Sequence, residues 1–216
     1  MSVRHRAEPS QIIVVDYGGV LGSHHQDPAE RRLASILDVS RKQCRALLTE
    51  RSTQGAAFRE GRISEEQFWL QVFDLAGRCR AAAPPDATLS RLWAETYSLN
   101  RDVLAILQAV RAECPVGLLT NIDSARSEYL TSEVGLLNHV DIYLPSFRFG
   151  TIKPKPALWK AADAEIRAAF GKNVSVLYID DREEHVEACA TVRWRGMHYN
   201  GPEPLVREMR ALSLHP

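Results

Sequence analysis

Six side chains along this 216-residue sequence have the types and the order needed for phosphoryl chemistry: Asp16, Thr120, Asn121, Lys153, Asp180 and Asp181. Taken singly, each has an ordinary structural role. Asp16 ahead of Gly18 and Gly19 can form a turn. Thr120-Asn121 can cap a helix, Lys153 can sit solvated in its proline-rich loop, and Asp181-Arg182-Glu183-Glu184 reads as a capping box. Together, in the order acid, hydroxyl, lysine, acid pair, they suit transfer of a phosphoryl group to a carboxylate. A carboxylate nucleophile approaching an anionic phosphoryl group is repelled by it, and a Mg²⁺ held by neighbouring acids offsets the repulsion. A hydroxyl, a lysine and backbone N–H groups hold the phosphoryl oxygens as charge spreads over them. Glycines beside Asp16 let backbone N–H groups face that space without a Cβ in the way.

The elements that must position these groups can be read from periodicity. Ile12–Val15 is a continuous apolar run, the pattern of a strand buried on both faces. From residue 27 to about 112 the chain reads as helical throughout, with capping-box patterns at 27–30, 40–43 and 64–67. Strands are then predicted at 115–120, 140–145, 175–180 and from Gly196 onward. They alternate with helices at 124–134, 157–170, 183–191 and 205–212. That alternation predicts an α/β fold with a parallel sheet covered on both faces. The core would comprise residues 1–22 and 113–216, interrupted by a helical domain at 23–112. Every one of the six groups falls at or beyond the carboxyl end of a predicted strand, where open α/β sheets bind ligands. The helical insertion follows the first of these ends and would lie over the site as a lid.

Composition narrows the partners. Basic and acidic residues number 27 each, for a formal net charge of zero, and no basic run marks a nucleic-acid partner. No apolar run approaches a membrane span or a signal peptide. Cys44, Cys79, Cys114 and Cys189 lack metal-ligand or CxxC spacing and read as free thiols, the expectation for a cytoplasmic protein.

The motifs resemble those of the haloacid dehalogenase (HAD) superfamily of hydrolases. Asp16-Tyr17-Gly18-Gly19-Val20-Leu21 looks like its first motif, 118–121 (LLTN) its second, 152–159 (IKPKPALW) its lysine motif and 178–188 (YIDDREEHVEA) its acidic motif. The insertion is similar in place and size to the family's C1-type helical cap, on a Rossmannoid core. The first motif and the stretch GRISEEQFW look closest to the branch of sugar-1-phosphate phosphatases and the phosphatase domain of soluble epoxide hydrolase. The resemblance implies a Mg²⁺-dependent phosphohydrolase acting on a small phosphorylated metabolite through a phosphorylated Asp16. It implies Asp16, the Gly18 carbonyl, Asp180 and Asp181 around the metal. Thr120 and Lys153 would grip the phosphoryl group, with Gly19 and Asn121 beside it.

Two positions depart from the pattern. Phosphatases of this family usually carry a second aspartate two residues after the nucleophile, as the acid for the leaving group and the base for water. Here that residue is Gly18. His24 and His25 are candidate substitutes, against the reading that they are solvated linker residues. His185 stands where the family more often has Asp or Asn near a metal-bound water, and it also reads as an exposed first-turn residue. In the cap, Arg59 and Arg62 flank Glu60-Gly61 and are candidate substrate contacts, whereas Phe68, Trp69, Phe73 and Trp93 read as cap core. Arg193-Trp194-Arg195 reads as surface. Two other functions stay open at this stage: a catalytically weak or inactive HAD-like protein that binds a ligand or partner, and a dehalogenase using the same nucleophile without metal.

Overall fold

The computed structural model describes residues 10–24 and 28–216. In chain order the strands are β1 (Gln11–Val15), β2 (Gly22–His24), β3 (Tyr97–Leu99), β4 (Val116–Thr120), β5 (Ile142–Pro145), β6 (Ser175–Asp180) and β7 (Arg195–His198). The helices are α1 (Pro28–Leu37), α2 (Arg41–Leu48), α3 (Thr53–Arg59), α4 (Glu65–Leu75), α5 (Asp86–Ala94), α6 (Arg101–Val110), α7 (Ser124–Ser132), α8 (Pro156–Phe170), α9 (Glu183–Ala188) and α10 (Pro202–Ala211). Five strands form one parallel sheet in the order β5-β4-β1-β6-β7. The expected α/β architecture with an inserted helical cap is therefore the architecture observed.

The unbroken apolar run of β1 reflects its central place, because both faces of a parallel sheet are covered by helices. Successive side chains point to opposite faces. Ile13 and Val15 join the layer containing Val103 and Leu107 of α6 and Leu205 and Met209 of α10. Ile12 and Val14 join the layer built on Leu158, Trp159, Ala162 and Ile166 of α8. Trp194, expected at the surface, belongs to that second layer: it is buried, its ring meets Trp159 edge-on, and its Nε1 donates to Asp163 Oδ1 at 2.7 Å. An indole flanked by two arginines reads as polar in sequence, yet its N–H needs only one acceptor to be buried.

The cap helices have a core of their own, in which Leu33, Leu48, Phe58, Phe68, Trp69, Val72, Phe73 and Leu89 pack together. Phe58 and Phe68 stack at 4.7 Å between ring centroids, and Trp69 Nε1 donates to Ser90 Oγ at 2.9 Å. The capping boxes of α2 and α4 form as expected, Ser40 with Gln43 and Ser64 with Gln67; the pattern beginning at Asp27 starts outside the described residues. Two features of the 23–112 segment differ from the sequence reading. Helix α6 packs through Val103, Leu107 and Val110 in the sheet's layer, so the expected cap boundary at residue 112 lies beyond a helix that belongs with the core. Periodicity identifies an apolar helix face but not the surface that receives it. A short antiparallel ribbon, β2 with β3, also joins the two parts, pairing Gly22 with Leu99 and His24 with Tyr97. Strands of three residues carry too little alternation to be legible.

The cap contains a buried carboxylate, Glu30, whose Oε2 accepts from Arg45 at 2.7 Å and Arg41 at 3.2 Å. Burial alone would raise its pKa, but those two hydrogen bonds hold it below the usual carboxylate range. A lowered folded pKa stabilises the protein above the unfolded value of about 4.3, and that stability is lost as pH falls through the folded value. Both arginines are partly solvent-exposed, which reduces the effect. Glu30→Gln is expected to cost about 1–2 kcal/mol near neutrality. The difference from wild type should shrink once pH falls below about 4, as denaturant melts across pH would reveal; a pH-independent difference would refute the ionic account.

Candidate active site

Register brings the chemistry-bearing residues to one edge. Val15 lies opposite Leu118 of β4 and Ile179 of β6, so the next residue, Asp16, comes level with Asp180, while Thr120 closes β4. Beyond Asp16 the chain turns back tightly, with Tyr17 buried beneath Gly22; a Cβ on Gly22 would lie 2.6 Å from the Tyr17 ring. Gly19 has φ +87°, and a Cβ there would stand 2.1 Å from Asp181 Oδ2. Glycine at 19 therefore answers both a left-handed backbone and the close approach of an acid.

Lys153 is the hub. It is buried, and its Nζ lies 2.8 Å from Asp16 Oδ1, 2.8 Å from Asp180 Oδ2, 2.8 Å from the Tyr178 hydroxyl and 3.2 Å from the Leu119 carbonyl. Asn121 fixes the backbone of this lysine from both sides. Its Oδ1 accepts from Lys153 N at 2.8 Å and its Nδ2 donates to Lys153 O at 3.1 Å. The Asn121 amide thus positions Lys153, and capping of α7 falls instead to Asp123, whose Oδ1 accepts from Arg126 N at 2.8 Å. Nor does Asp181 cap α9, whose N-cap position is Arg182 and has no side-chain cap.

Asp180 is fully buried, and both of its oxygens are engaged. Oδ2 accepts from Lys153, from Tyr178 Oη and from His185 Nδ1 at 3.0 Å; Oδ1 accepts from Arg182 N at 2.9 Å. His185, which the sequence also allowed as an exposed residue, is 2% exposed and lines the cavity with Nε2 unpartnered among the described residues.

The electrostatics follow from this division. Burial would raise the pKa of Asp180, but Lys153 and His185 outweigh it and keep it well below the usual range. Asp16 has fewer donors, and burial pushes it up to about 7 against the pull of Lys153, with Asp180 adding to the rise. Asp181 is raised by burial and by Asp180. Carboxylate oxygens of Asp16, Asp180 and Asp181 lie within 4.8 Å of one another. Three acids share one lysine, which leaves an excess of negative charge and an all-oxygen donor set of the kind a hard divalent cation such as Mg²⁺ takes. Asp16 and Asp181 could hold such an ion, with Asp180, bonded to the lysine, beside them.

The cavity above these groups is about 260 Å³ and is walled by both parts of the chain. The core supplies Asp16, Gly18, Gly19, Thr120, Asn121, Lys153, Asp181 and Arg126, and the cap side supplies Glu50, Arg59, Trp93 and Tyr97. Of the sequence candidates, Arg59 is in the wall and Arg62 is not; Arg62 is exposed and pairs with the buried Glu60. His25 lies outside the described residues, as does the side chain of His24. Trp93, read as cap core, both packs there and reaches the cavity. Sequence reasoning missed Glu50, Tyr97 and Arg126. Arg126 follows the Thr120-Asn121 pair within one helical turn of the Asp123 cap, a position that faces back toward the strand ends. A larger depression, about 1130 Å³, opens at the amino ends of the strands around Arg111–Pro115 and Arg167–Asn173. It holds none of the strand-end groups.

Cap and core meet through polar ties. Ser146 Oγ donates to the Arg59 carbonyl at 2.7 Å and accepts from Ile122 N at 2.9 Å, Lys155 pairs with Glu60, and Arg182 pairs with Glu50.

No protein-family model matches the sequence, and no curated protein sequence does. Solved structures match over nearly the whole chain. A predicted HAD-like family hydrolase from Porphyromonas gingivalis superposes with a TM-score of 0.74 at 18% identity, covering 97% of this chain and 100% of that one. A HAD family enzyme from Bacteroides thetaiotaomicron, in complex with magnesium and inorganic phosphate, gives a TM-score of 0.70 at 16% identity, covering 88% and 94%. An L-2-haloacid dehalogenase gives 0.61 at 19% identity, covering 87% and 83%. The chain therefore has the HAD fold, a Rossmannoid parallel sheet with a helical cap.

Proposed function

We propose that this chain is a Mg²⁺-dependent phosphohydrolase that acts on a small phosphorylated metabolite through a covalent aspartyl-phosphate on Asp16. The observation that carries the reading is the buried Lys153, bonded at 2.8 Å to both Asp16 and Asp180, beside a third acid at the same sheet edge. A bound Mg²⁺ would offset the repulsion between carboxylate and phosphoryl group. An Asp16 carboxylate oxygen attacks phosphorus, and the bond from phosphorus to the leaving oxygen breaks with its electron pair on that oxygen. Lys153 and Thr120 hold the phosphoryl oxygens as charge develops. With glycine at 18, the departing oxygen takes its proton from water. A second water then attacks phosphorus, and Asp16 leaves as a carboxylate with phosphate released. The complex of a similarly folded enzyme with magnesium and inorganic phosphate supports this assignment. All four cysteines are free thiols, which supports a cytoplasmic setting.

Two other readings are weaker. Dehalogenation would use Asp16 without a metal, and a fold neighbour is a dehalogenase, but the surplus of acid over lysine is costly without a cation. A pure binding protein has no need of a nucleophile, lysine and acid pair together.

Phosphate release from an aryl phosphate and a panel of metabolite monophosphates tests the reading. Release should depend on Mg²⁺, disappear on chelation and return on replenishment. Metal-independent release, or halide release from 2-haloacids without phosphate release, would overturn it.

A further inference from the structure

The cavity contains a buried cation that the chemistry at Asp16 does not use. Arg126, on α7 of the core, is 5% exposed. Its guanidinium makes no hydrogen bond or ion pair with any described residue, and its Nε is buried without a partner. Instead it sits over two aromatic faces, 5.3 Å from the Trp93 ring centroid and 4.9 Å from that of Tyr97. Arginine carries five donors and is always charged. Burying one without a carboxylate is costly, and two aromatic faces recover only part of that cost.

A second arginine comes from the cap side of the same cavity. Arg59, on α3, is 2% exposed; its Nη1 donates to the Gly55 carbonyl at 3.0 Å, while its Nε lies 3.6 Å from Glu50 Oε2 and is otherwise unpartnered. Glu50 is shared with Arg182. Asp123, which caps α7, keeps Oδ2 buried and unpartnered, and its charge acts on Arg59 together with that of Glu50. Arg182 pairs with Glu184 as well as Glu50, so these groups together sum to zero, and what marks the corner is the Arg126 guanidinium, which has no carboxylate of its own among the described residues. Arg126 and Asp16 border the same space: a Cβ on Gly18 would stand 3.7 Å from the Tyr97 ring and 4.0 Å from Asp16 Oδ2, and that ring carries Arg126.

We propose that this corner is an anion subsite, so that the preferred phosphorylated ligand carries a second anionic oxyacid group, carboxylate or phosphate, on the side away from Asp16. Arg126 is its principal donor, Arg59 closes over it with the cap, and Trp93 and Tyr97 hold the Arg126 fork in place. The proposal rests on the phosphohydrolase reading for the phosphoryl end of the cavity. It names a substrate class: small monophosphates whose alcohol portion is itself an acid, compact enough for about 260 Å³.

Affinity separates this claim from turnover. Calorimetry with Asp16→Asn protein in Mg²⁺ would compare glycerol 3-phosphate, whose remainder is neutral, with 3-phosphoglycerate and 1,3-propanediol bisphosphate. Either acidic probe should bind about tenfold tighter or more than glycerol 3-phosphate, and the better of the two identifies the second group. Adding Arg126→Gln should erase the preference, and Arg126→Lys should restore little of it, because a point charge lacks the fork. Equal affinity for all three probes, or no binding of any, overturns the subsite, whether or not the Arg126 variants fold. A preference that survives Arg126→Gln in a folded protein overturns it as well. Preferential binding without hydrolysis by wild type would support the subsite while refuting the hydrolase reading.

Discussion

Asp16→Asn is expected to reduce Mg²⁺-dependent phosphate release by about 10⁴-fold or more, to the uncatalysed level, because on the proposed mechanism it removes the atom that attacks phosphorus. The substitution is nearly isosteric, and Lys153 keeps Asp180, Tyr178 and the Leu119 carbonyl as partners. The loss should therefore come without unfolding. Stability should move the other way. Burial holds Asp16 near 7 in the metal-free protein, above its unfolded value. A raised folded pKa means that the wild type loses stability as pH climbs from about 4 toward 7, where the unfolded chain has ionised and the folded site resists doing so. Asn removes that penalty. Without Mg²⁺ at pH 8 the variant should melt higher than wild type, by about 2–4 °C for each kcal/mol relieved, and the gap should close toward pH 4. An inactive variant that melts lower at pH 8 would refute the electrostatic account; substantial residual release would refute Asp16 as nucleophile.

Gly18→Asp is expected to raise turnover of esters with poor leaving groups by about 10²–10⁴-fold, the usual worth of a positioned general acid–base. Activated aryl phosphates should gain much less, since their leaving groups need little protonation. The backbone admits the change. Position 18 is not among the positive-φ glycines, and its Cβ would meet its nearest neighbours, Tyr97 and Asp16, at ordinary contact distances of 3.7 and 4.0 Å. Gly19, next in sequence, would tolerate neither the backbone nor the contact with Asp181. Single-turnover rates on an alkyl and an aryl phosphate would decide. A variant that gains equally on both has not acquired a leaving-group acid, and one with no gain on either shows that another group already supplies the proton.

The strand ends were legible because the sheet is simple. A continuous apolar run ending in an acid reads as a buried strand delivering that acid to an edge; β1 and β6 follow this pattern, and β4 delivers the Thr120 hydroxyl in the same way. The lysine was legible by order alone, and its role as a hub was not: nothing local in residues 152–156 tells that Nζ reaches Asp16 and Asp180. Arg126 was illegible for a related reason. On a short helix with no clear apolar face, a buried arginine and a solvated one share the same spacing. Helix α6 was assigned to the cap because amphipathicity identifies a buried face without naming what covers it, and the β2–β3 ribbon was missed because six residues in two strands show no period.

Lys153 has three protons and four acceptors within 3.2 Å, all belonging to the protein. An incoming phosphoryl oxygen therefore finds no idle donor and must displace a resident. On the proposed mechanism Asp16 is the resident whose claim would weaken as the reaction advances, since a carboxylate becoming an acyl phosphate gives up the charge that held the ammonium. The lysine would then change allegiance as the new bond forms, and its grip on the phosphoryl group would be strongest at the transition state, when that grip does most to lower the barrier.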